Sequence, residues 1–153
     1  MSGRPDSRPV VAAVCYRARN GSFDFLLVRT KGGDKWTFPK GHVEMDETPQ
    51  GSAAREACEE AGVHGVVAAQ PFTHYRYPGG SDGGGERSVA AYLLEVGSQR
   101  PPRTGEKHRD PTWFDREAAE SALGEGGREP EYRREHARVL TEALVELEAP
   151  SVA

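Results

Sequence analysis

The chain has 153 residues, a formal net charge of −4 and 29% charged side chains. This length accommodates one domain with a single core, and the acidic balance argues against general nucleic-acid binding. The sequence contains no apolar run long enough to span a bilayer.

The first residues and the cysteines set the expected compartment. We predict a disordered polar tail at 1–8 and one domain at 9–149. The tail lacks the apolar core of a signal peptide, so cytoplasmic residence is expected. Cys15 and Cys58 do not show a metal-ligand spacing and are expected to be free thiols.

Three strands are predicted in the first quarter of the chain. Residues 10–16 (VVAAVCY) are apolar and β-branched, which is typical of a buried strand. A returning strand follows at 23–28 after a turn. A third, short strand at 36–38 ends where Pro39 breaks it.

A helix is predicted at 48–61, where Ala and Glu predominate. Thr48 is the expected N-cap, and Pro49 then occupies the first helical position, where its missing N–H costs nothing. Gly62 is expected to end the helix as a C-cap residue.

Three carboxylates share one face of this helix. Glu56, Glu59 and Glu60 stand at positions i, i+3 and i+4. Like charges at this spacing repel unless cations neutralise them, and Mg²⁺ takes oxygen ligands while leaving positions for substrate phosphates. The pattern therefore indicates a metal-binding face; taken alone, it is also compatible with a solvated acidic face.

The remaining elements complete an α/β or α+β sandwich. They are, in order, an extended segment at 66–77, a flexible glycine-rich loop at 79–85, strands at 88–96 and 111–114, a helix capped by Asp115 that continues to Leu123, and an amphipathic helix at 131–148.

The segment from Gly41 to Val63 reads GHVEMDETPQGSAAREACEEAGV. It resembles the Nudix box, G-x5-E-x7-R-E-U-x-E-E-x-G-U, where U is apolar. Ala57 is smaller than the aliphatic residue usual at its position. The resemblance implies an α/β fold, namely an α/β/α sandwich around a mixed sheet with a loop–helix–loop motif. The matching positions are Gly41, Glu47, Arg55, Glu56, Glu59, Glu60 and Gly62.

The resemblance also implies metal-dependent hydrolysis of a diphosphate that is linked to another moiety, usually a nucleoside. Glu56, Glu59 and Glu60 match the family's metal ligands, and the backbone carbonyl near Gly41 often completes the metal sphere. The expected cofactor is Mg²⁺, with Mn²⁺ as a substitute. Metal ions neutralise phosphate charge and lower the pKa of a bound water.

Other box positions match supporting groups. Glu47 matches a supporting carboxylate, and Arg55 matches the arginine that braces the loop. The general base is either a box glutamate or a carboxylate from a later loop. Glu106 is the candidate from a later loop, Glu86 is a weaker one, and a solvated surface charge is the alternative for Glu106.

The approach to the box predicts the substrate class. The segment W-x-x-P-K-G-H, residues 36–42, resembles the diadenosine polyphosphate hydrolases of the family and their inositol-pyrophosphate relatives. Lys40 places a cation beside the phosphates, and His42 adds a hydrogen bond or proton donor. Upstream cations are further candidates for phosphate contacts or serve solubility; these are Arg29, Lys31 and Lys35.

Tyr75 and Tyr77 are candidates for stacking on a nucleobase, although strand alternation also allows their side of the strand to face the core. Trp36 is expected in the core. Pro78 lies at a spacing found in ADP-ribose-cleaving relatives.

We therefore rank diadenosine polyphosphate first, ahead of ADP-ribose, oxidised nucleoside triphosphates and inositol pyrophosphates. A non-catalytic Nudix binding module is the alternative from a different class, and removal of pyrophosphate from RNA 5′ ends stays open. The expected partner is a small nucleotide rather than a nucleic acid or a membrane, and the oligomeric state is undetermined.

Overall fold

The computed structural model of the protein describes residues 8–79 and 85–149. In this part of the chain eight strands form one sheet, and three α-helices pack on its two faces. The strands are β1 (Val10–Arg19), β2 (Ser22–Arg29), β3 (Trp36–Thr37), β4 (Lys40–His42), β5 (Val63–Val67), β6 (Thr73–Tyr77), β7 (Arg87–Gln99) and β8 (Thr112–Asp115). The helices are α1 (Pro49–Ala61), α2 (Arg116–Leu123) and α3 (Pro130–Glu148), with a 3₁₀ turn at Lys107–Arg109.

The sheet is mixed, as the resemblance predicts. Strand β1 lies at its centre, parallel to β7 and antiparallel to β2. The order along the sheet is β3-β2-β1-β7-β5, while β4 pairs with β1, β6 with β7 and β8 with β2. The apolar, β-branched run at the start of β1 is buried, as expected for a central strand.

Strand β1 divides the core by alternation. Val11 and Ala13 pack with α1, whereas Val10, Ala12 and Val14 pack with α2 and α3 on the opposite face. Alanines on α1 allow the helix to approach the sheet closely. The predicted α/β/α sandwich is therefore confirmed.

Helix α1 begins and ends where the sequence predicts. The Thr48 hydroxyl accepts a hydrogen bond from the Gly51 N–H at 3.0 Å, and Pro49 is the first helical residue. Gly62 adopts a left-handed φ of 69°, and a Cβ there would lie 1.9 Å from the carbonyl oxygen of Arg100. Glycine is thus required at this cap for both its conformation and its small size.

The predicted strands differ from the structure in two places. The extended segment at 66–77 is two strands, β5 and β6, which pair with different parts of β7. The sequence also did not predict β4. Before Pro39 the chain pairs with β2, as β3, and after Pro39 it pairs with β1, as β4. The positions of residues 1–7, and of 80–84 in the predicted flexible loop, lie outside the described residues.

Both cysteines are free, as predicted; Cys15 is buried, and Cys58 is partly exposed. Across 8–79 and 85–149, no helix has the length and apolar character needed to cross a membrane.

Candidate active site

Glu60 is the most deeply buried carboxylate of the α1 acidic face, with 6% of its surface exposed. Its Oε1 accepts a hydrogen bond from the backbone N–H of Lys40 at 3.3 Å, and its Oε2 lies 3.6 Å from the Arg109 guanidinium. Burial raises the pKa of Glu60 to about 8; the hydrogen-bonded Glu56 adds to this shift, and Arg109 opposes it. A cation placed here would therefore relieve a buried charge.

Glu56 lies directly against the backbone of Gly41. A Cβ at Gly41 would stand 2.3 Å from the Glu56 carboxyl carbon, so a side chain at this position cannot coexist with the present Glu56 conformer. Because Gly41 has no side chain, the carboxylates of Glu56 and Glu60 can both lie close to the backbone of β4.

Replacing Gly41 with Ala is therefore expected to displace the Glu56 carboxylate. Because this carboxylate is the free end of a flexible side chain, the fold can absorb the movement, but one of the expected metal ligands is displaced. We expect at least about a tenfold lower kcat with a melting temperature close to that of the wild type. Steady-state kinetics and thermal unfolding test this. Full activity in Gly41→Ala contradicts the arrangement.

Arg55 connects the carboxylates of the box. Its Nε donates to both oxygens of Glu47 at 2.8 and 3.0 Å, and Nη1 donates to Glu56 at 2.7 Å and Glu59 at 3.3 Å. Nη2 donates to the carbonyl oxygen of His42 at 3.1 Å. These partners hold the pKa of Arg55 above its ordinary value, and the Arg55 and Ser52 hydrogen bonds hold the pKa of Glu47 below its own. This geometry supports the predicted bracing role.

The segment that contains the 3₁₀ turn supplies two further arginines. Arg103 donates to Glu59 at 2.8 Å. Arg109, whose side chain is 14% exposed, donates to Glu106 at 2.7 Å while it faces Glu60. One guanidinium thus links Glu106 to the acidic face, which places this base candidate close to the box. Glu86 instead accepts from Arg76 and from the Tyr132 hydroxyl.

In this structure arginine side chains balance the negative charge of the acidic face, and its carboxylates do not converge as a set of metal ligands. Within the described ranges, no three His, Cys, Asp or Glu side chains converge as they do around a metal ion. The donor set nevertheless suits a hard cation, because Glu56 and Glu60 are hydrogen-bonded carboxylates in a buried setting. Binding of a divalent cation requires these carboxylates to exchange their present partners for the ion.

A cavity of about 520 Å³ is connected to the acidic face through Lys40, although none of Glu56, Glu59 and Glu60 lines it. Lys40 contacts both the acidic face and the cavity. Its backbone N–H donates to Glu60, and its side chain lines the cavity with Nζ 5.2 Å from the ring centroid of Tyr77. Burial lowers the pKa of Lys40, with Glu60 opposing the shift. Other cations that line the cavity are Lys31, Lys35 and Arg128, which outnumber the two carboxylates there, Asp34 and Glu129. A cationic cavity next to a carboxylate face suits a phosphate-bearing ligand.

Comparison with known proteins agrees with this geometry. The family model for the NUDIX domain matches residues 6–139. The chain belongs to the Nudix family. Other members similar to it include rat diphosphoinositol polyphosphate phosphohydrolase 2, 43% identical over 56 residues, and the mitochondrial Nudix hydrolase 18 of Arabidopsis thaliana, 39% identical over 70 residues. These alignments cover 37% and 41% of this Nudix chain and 31% and 40% of the relatives, so less than half of either relative is matched.

Solved Nudix structures match over a longer stretch. The Ap4A hydrolase of C. elegans superimposes with a TM-score of 0.69 at 23% identity, covering 92% of this chain and 98% of that one. A NUDIX-family hydrolase from Clostridium perfringens gives 0.69 at 21% identity, covering 94% and 99%. At these identities the likeness establishes the Nudix fold.

The cavity separates the predicted substrate contacts of this Nudix protein into two groups. Lys31, Lys35, Lys40 and Tyr77 line it. The others do not: the guanidinium of Arg29 stacks 3.9 Å above the ring of Trp36, His42 lies on β4, and Tyr75 lies in the core.

The prediction that Tyr75 stacks on a nucleobase is wrong. This residue is 1% exposed, and its ring packs edge-on against Phe38 and His136 at centroid distances of 6.1 and 5.2 Å. A ring enclosed in this way cannot stack on a nucleobase, so Tyr75 is a core residue. Trp36 is also in the core, as predicted, with 6% exposed.

Several residues at the candidate site were not predicted from the sequence, among them Arg103, which binds Glu59. Arg109 faces Glu60, and Thr37 and Arg128 line the cavity. Arg109 follows Glu106 by three residues, which is a spacing that signals an ion pair within one turn. Thr37 and Arg128 come from segments far apart in sequence, and local patterns do not reveal their meeting.

Proposed function

We propose that this protein is a metal-dependent hydrolase that cleaves a phosphoanhydride bond in a nucleoside diphosphate-linked substrate, with diadenosine polyphosphate as the preferred class. The observation that carries the proposal is the position of Lys40. Its backbone fixes a buried carboxylate of the box, and its side chain lines the cationic cavity. A phosphate chain in the cavity therefore extends toward the acidic face.

The proposed cofactor is a divalent cation, Mg²⁺ with Mn²⁺ as substitute, held by Glu56, Glu59, Glu60 and the backbone at Gly41. When bound, it supplies charge neutralisation and a water of lowered pKa. The chain's own groups position these ligands: the Lys40 N–H restrains Glu60, and Arg55 restrains the other two carboxylates.

The proton-accepting group is proposed to be Glu106 or a box carboxylate. Glu106 is the only later-loop candidate that the structure ties to the acidic face within the described residues, through the shared Arg109. Because Arg109 is largely buried, it fixes where the Glu106 carboxylate lies relative to Glu60. This restraint is what a base in a defined geometry requires.

The cavity favours a long phosphate chain. Three lysines and one arginine line it against two carboxylates, Asp34 and Glu129, and Tyr77 offers an aromatic ring beside Lys40. The C. elegans neighbour is named as an Ap4A hydrolase, and the rat relative as a diphosphoinositol polyphosphate phosphohydrolase. Inositol pyrophosphate is therefore the second candidate class. Pro78 also lines the cavity, which keeps ADP-ribose as a third.

A screen with product analysis tests the proposal. Diadenosine polyphosphates, ADP-ribose, nucleoside triphosphates and inositol pyrophosphates are incubated with Mg²⁺, with Mn²⁺ and with EDTA. We expect metal-dependent cleavage with the highest kcat/KM on a diadenosine polyphosphate. Binding without cleavage of any of these compounds supports the alternative of a non-catalytic module. Small nucleotides as the partners and cytoplasmic residence remain predictions.

Lys40→Met separates the candidate substrates. Met retains the length of the side chain but removes a charge that faces the cavity. We expect kcat/KM for diadenosine tetraphosphate to fall at least about tenfold, and that for ADP-ribose to fall less, because the longer chain carries more phosphate charge. Raising the salt concentration should weaken binding of the tetraphosphate to the wild type, since exposed charges are screened over about 8 Å. An equal loss for both substrates favours ADP-ribose.

A further inference from the structure

Arg128 lines the cavity, and the Asp34 and Glu129 carboxylates line it as well. Arg128 lies between α2 and α3, is only partly exposed, and belongs to a different segment from the predicted phosphate contacts. Nη1 donates to the Leu123 carbonyl oxygen at 2.5 Å, and no ion pair of Arg128 occurs among the described residues. Burial lowers its pKa, with Tyr75 and Asp34 opposing the shift. A guanidinium carries five N–H donors, so most of this group is available to a ligand.

The two loops that form this side of the cavity are fixed to each other. Gly126 has a φ of +81°, and a Cβ there would lie 2.3 Å from the carbonyl oxygen of Asp34 and 2.7 Å from Cγ of Lys35. The loop between α2 and α3 therefore contacts the loop between β2 and β3 directly. This contact restrains the backbone two residues before Arg128, so its guanidinium is part of a preformed wall of the cavity.

Thr37 provides an independent sign of a ligand. It is 2% exposed, it lines the same cavity, and its Oγ1 has no hydrogen-bond partner. A buried hydroxyl without a partner is costly, and such groups call for an explanation. An acceptor oxygen of a ligand in the cavity satisfies it.

We propose that Arg128 and Thr37, with Lys31, form a subsite for a phosphate group of the substrate other than the one under attack. Lys31 has an exposed side chain that lines the cavity, whereas Lys35 is already paired with Asp34 at 2.8 Å. This proposal depends on the proposed function in one respect, namely that the bound phosphate belongs to the substrate. Its chemistry makes this protein selective for ligands with additional phosphates, carried either on a nucleoside polyphosphate chain or on a polyol ring.

A structural role for Arg128 is the competing explanation. Its contact with Leu123 lies at the C-terminal end of α2, where an arginine also stabilises the helix. The two roles differ in their readouts. A helix-stabilising role lowers the melting temperature on substitution and leaves phosphate binding unchanged in the folded protein.

Calorimetric titration with inorganic tripolyphosphate in EDTA tests the subsite without the metal or hydrolysis. The variants are Arg128→Gln and Thr37→Val, with Arg134→Gln as a control that removes the same charge from an exposed position outside the cavity. We expect about tenfold weaker binding or more for Arg128→Gln, and a severalfold loss for Thr37→Val. Arg134→Gln should bind like the wild type.

Thr37→Val distinguishes a loss of binding from a loss of folding. Because the hydroxyl lacks a partner in the free protein, its removal should leave the melting temperature unchanged or higher while it weakens binding. Wild-type affinity in both folded variants overturns the subsite. Binding that depends on Arg128 in a protein that cleaves none of the screened substrates supports the subsite and refutes the hydrolase.

Two further titrations distinguish the source of the phosphate. Inositol hexakisphosphate represents the polyol ring, and diadenosine tetraphosphate represents the nucleoside polyphosphate. The ligand that loses more affinity in Arg128→Gln is the one that occupies the subsite. If neither loses affinity, the effect on tripolyphosphate reflects an adventitious ion only, and the subsite is rejected.

Discussion

Replacing Glu60 with Gln is expected to lower kcat by at least about 100-fold, because an electrostatic group at a catalytic centre commonly contributes this much. Gln preserves the shape of the side chain, and its carbonyl oxygen can still accept from the Lys40 N–H. The charge that would face a cation is lost. Glu59→Gln is expected to act in the same direction. Kinetics with the cation at a fixed, saturating concentration measure both effects.

The stability of Glu60→Gln distinguishes lost charge from lost structure. The pKa of Glu60 rises from 4.5 to about 8 on folding, so the folded protein binds more protons than the unfolded chain between these values. The contribution of Glu60 to stability is therefore present at low pH and is lost as pH rises from about 4.5 to about 8.

Without metal, we expect the melting temperature of Glu60→Gln to rise relative to that of the wild type as pH is raised from about 4.5 to about 8, and the difference to stay constant above that. A variant that is inactive yet at least as stable at neutral pH supports the metal-binding role. Near-normal turnover of Glu60→Gln at the same cation concentration would sink the assignment, and a large drop in melting temperature would show that Glu60 is structural.

Arg55→Ala is expected to reduce stability and activity together. The substitution removes the shared partner of Glu47, Glu56 and Glu59 and leaves carboxylates that repel one another. We expect a loss of about 1–3 kcal/mol in the free energy of unfolding. For a chain of this size this corresponds to a melting temperature lower by roughly 3–10 °C. Thermal unfolding in EDTA measures it where the repulsion is greatest.

Arg103→Ala is the matched control. Arg103 also binds Glu59, but its side chain is 65% exposed and it bridges no other carboxylate in the described structure. An exposed pair of this kind contributes little, so we expect a change below about 1 kcal/mol. If Arg55→Ala instead leaves the melting temperature unchanged and selectively raises KM, Arg55 is a phosphate contact.

Local sequence signals predicted the box helix well because its determinants are local. Thr48 caps the helix three residues from its partner Gly51, and Gly62 is the residue type that tolerates the left-handed cap. The strands β1 and β2 are apolar runs divided by a turn, and their antiparallel pairing follows from their proximity in sequence. Each of these features depends on residues fewer than about fifteen positions apart.

The cavity depended on contacts that local signals do not contain. Tyr75 and Tyr77 share one side of β6, yet only Tyr77 reaches the cavity, because His136 of α3 packs on Tyr75. Alternation predicts the side of a strand but not the depth at which a side chain lies. Arg128 becomes a cavity residue through the contact of Gly126 with a loop about 90 residues earlier in the chain, and Thr37 does so through β3, a strand of two residues.

The contact between Gly126 and Asp34 has a consequence for how this fold can diversify. The carboxylates of the acidic face reside on a helix that packs against one face of the sheet, whereas one wall of the cavity is a pair of surface loops in direct contact. An insertion in either loop must be matched by a change in the other, so we expect paired length variation at 30–35 and 124–128 among homologues. Swapping both loops together, as one cassette, should change ligand preference while leaving the acidic helix intact; swapping one alone should yield an unstable protein.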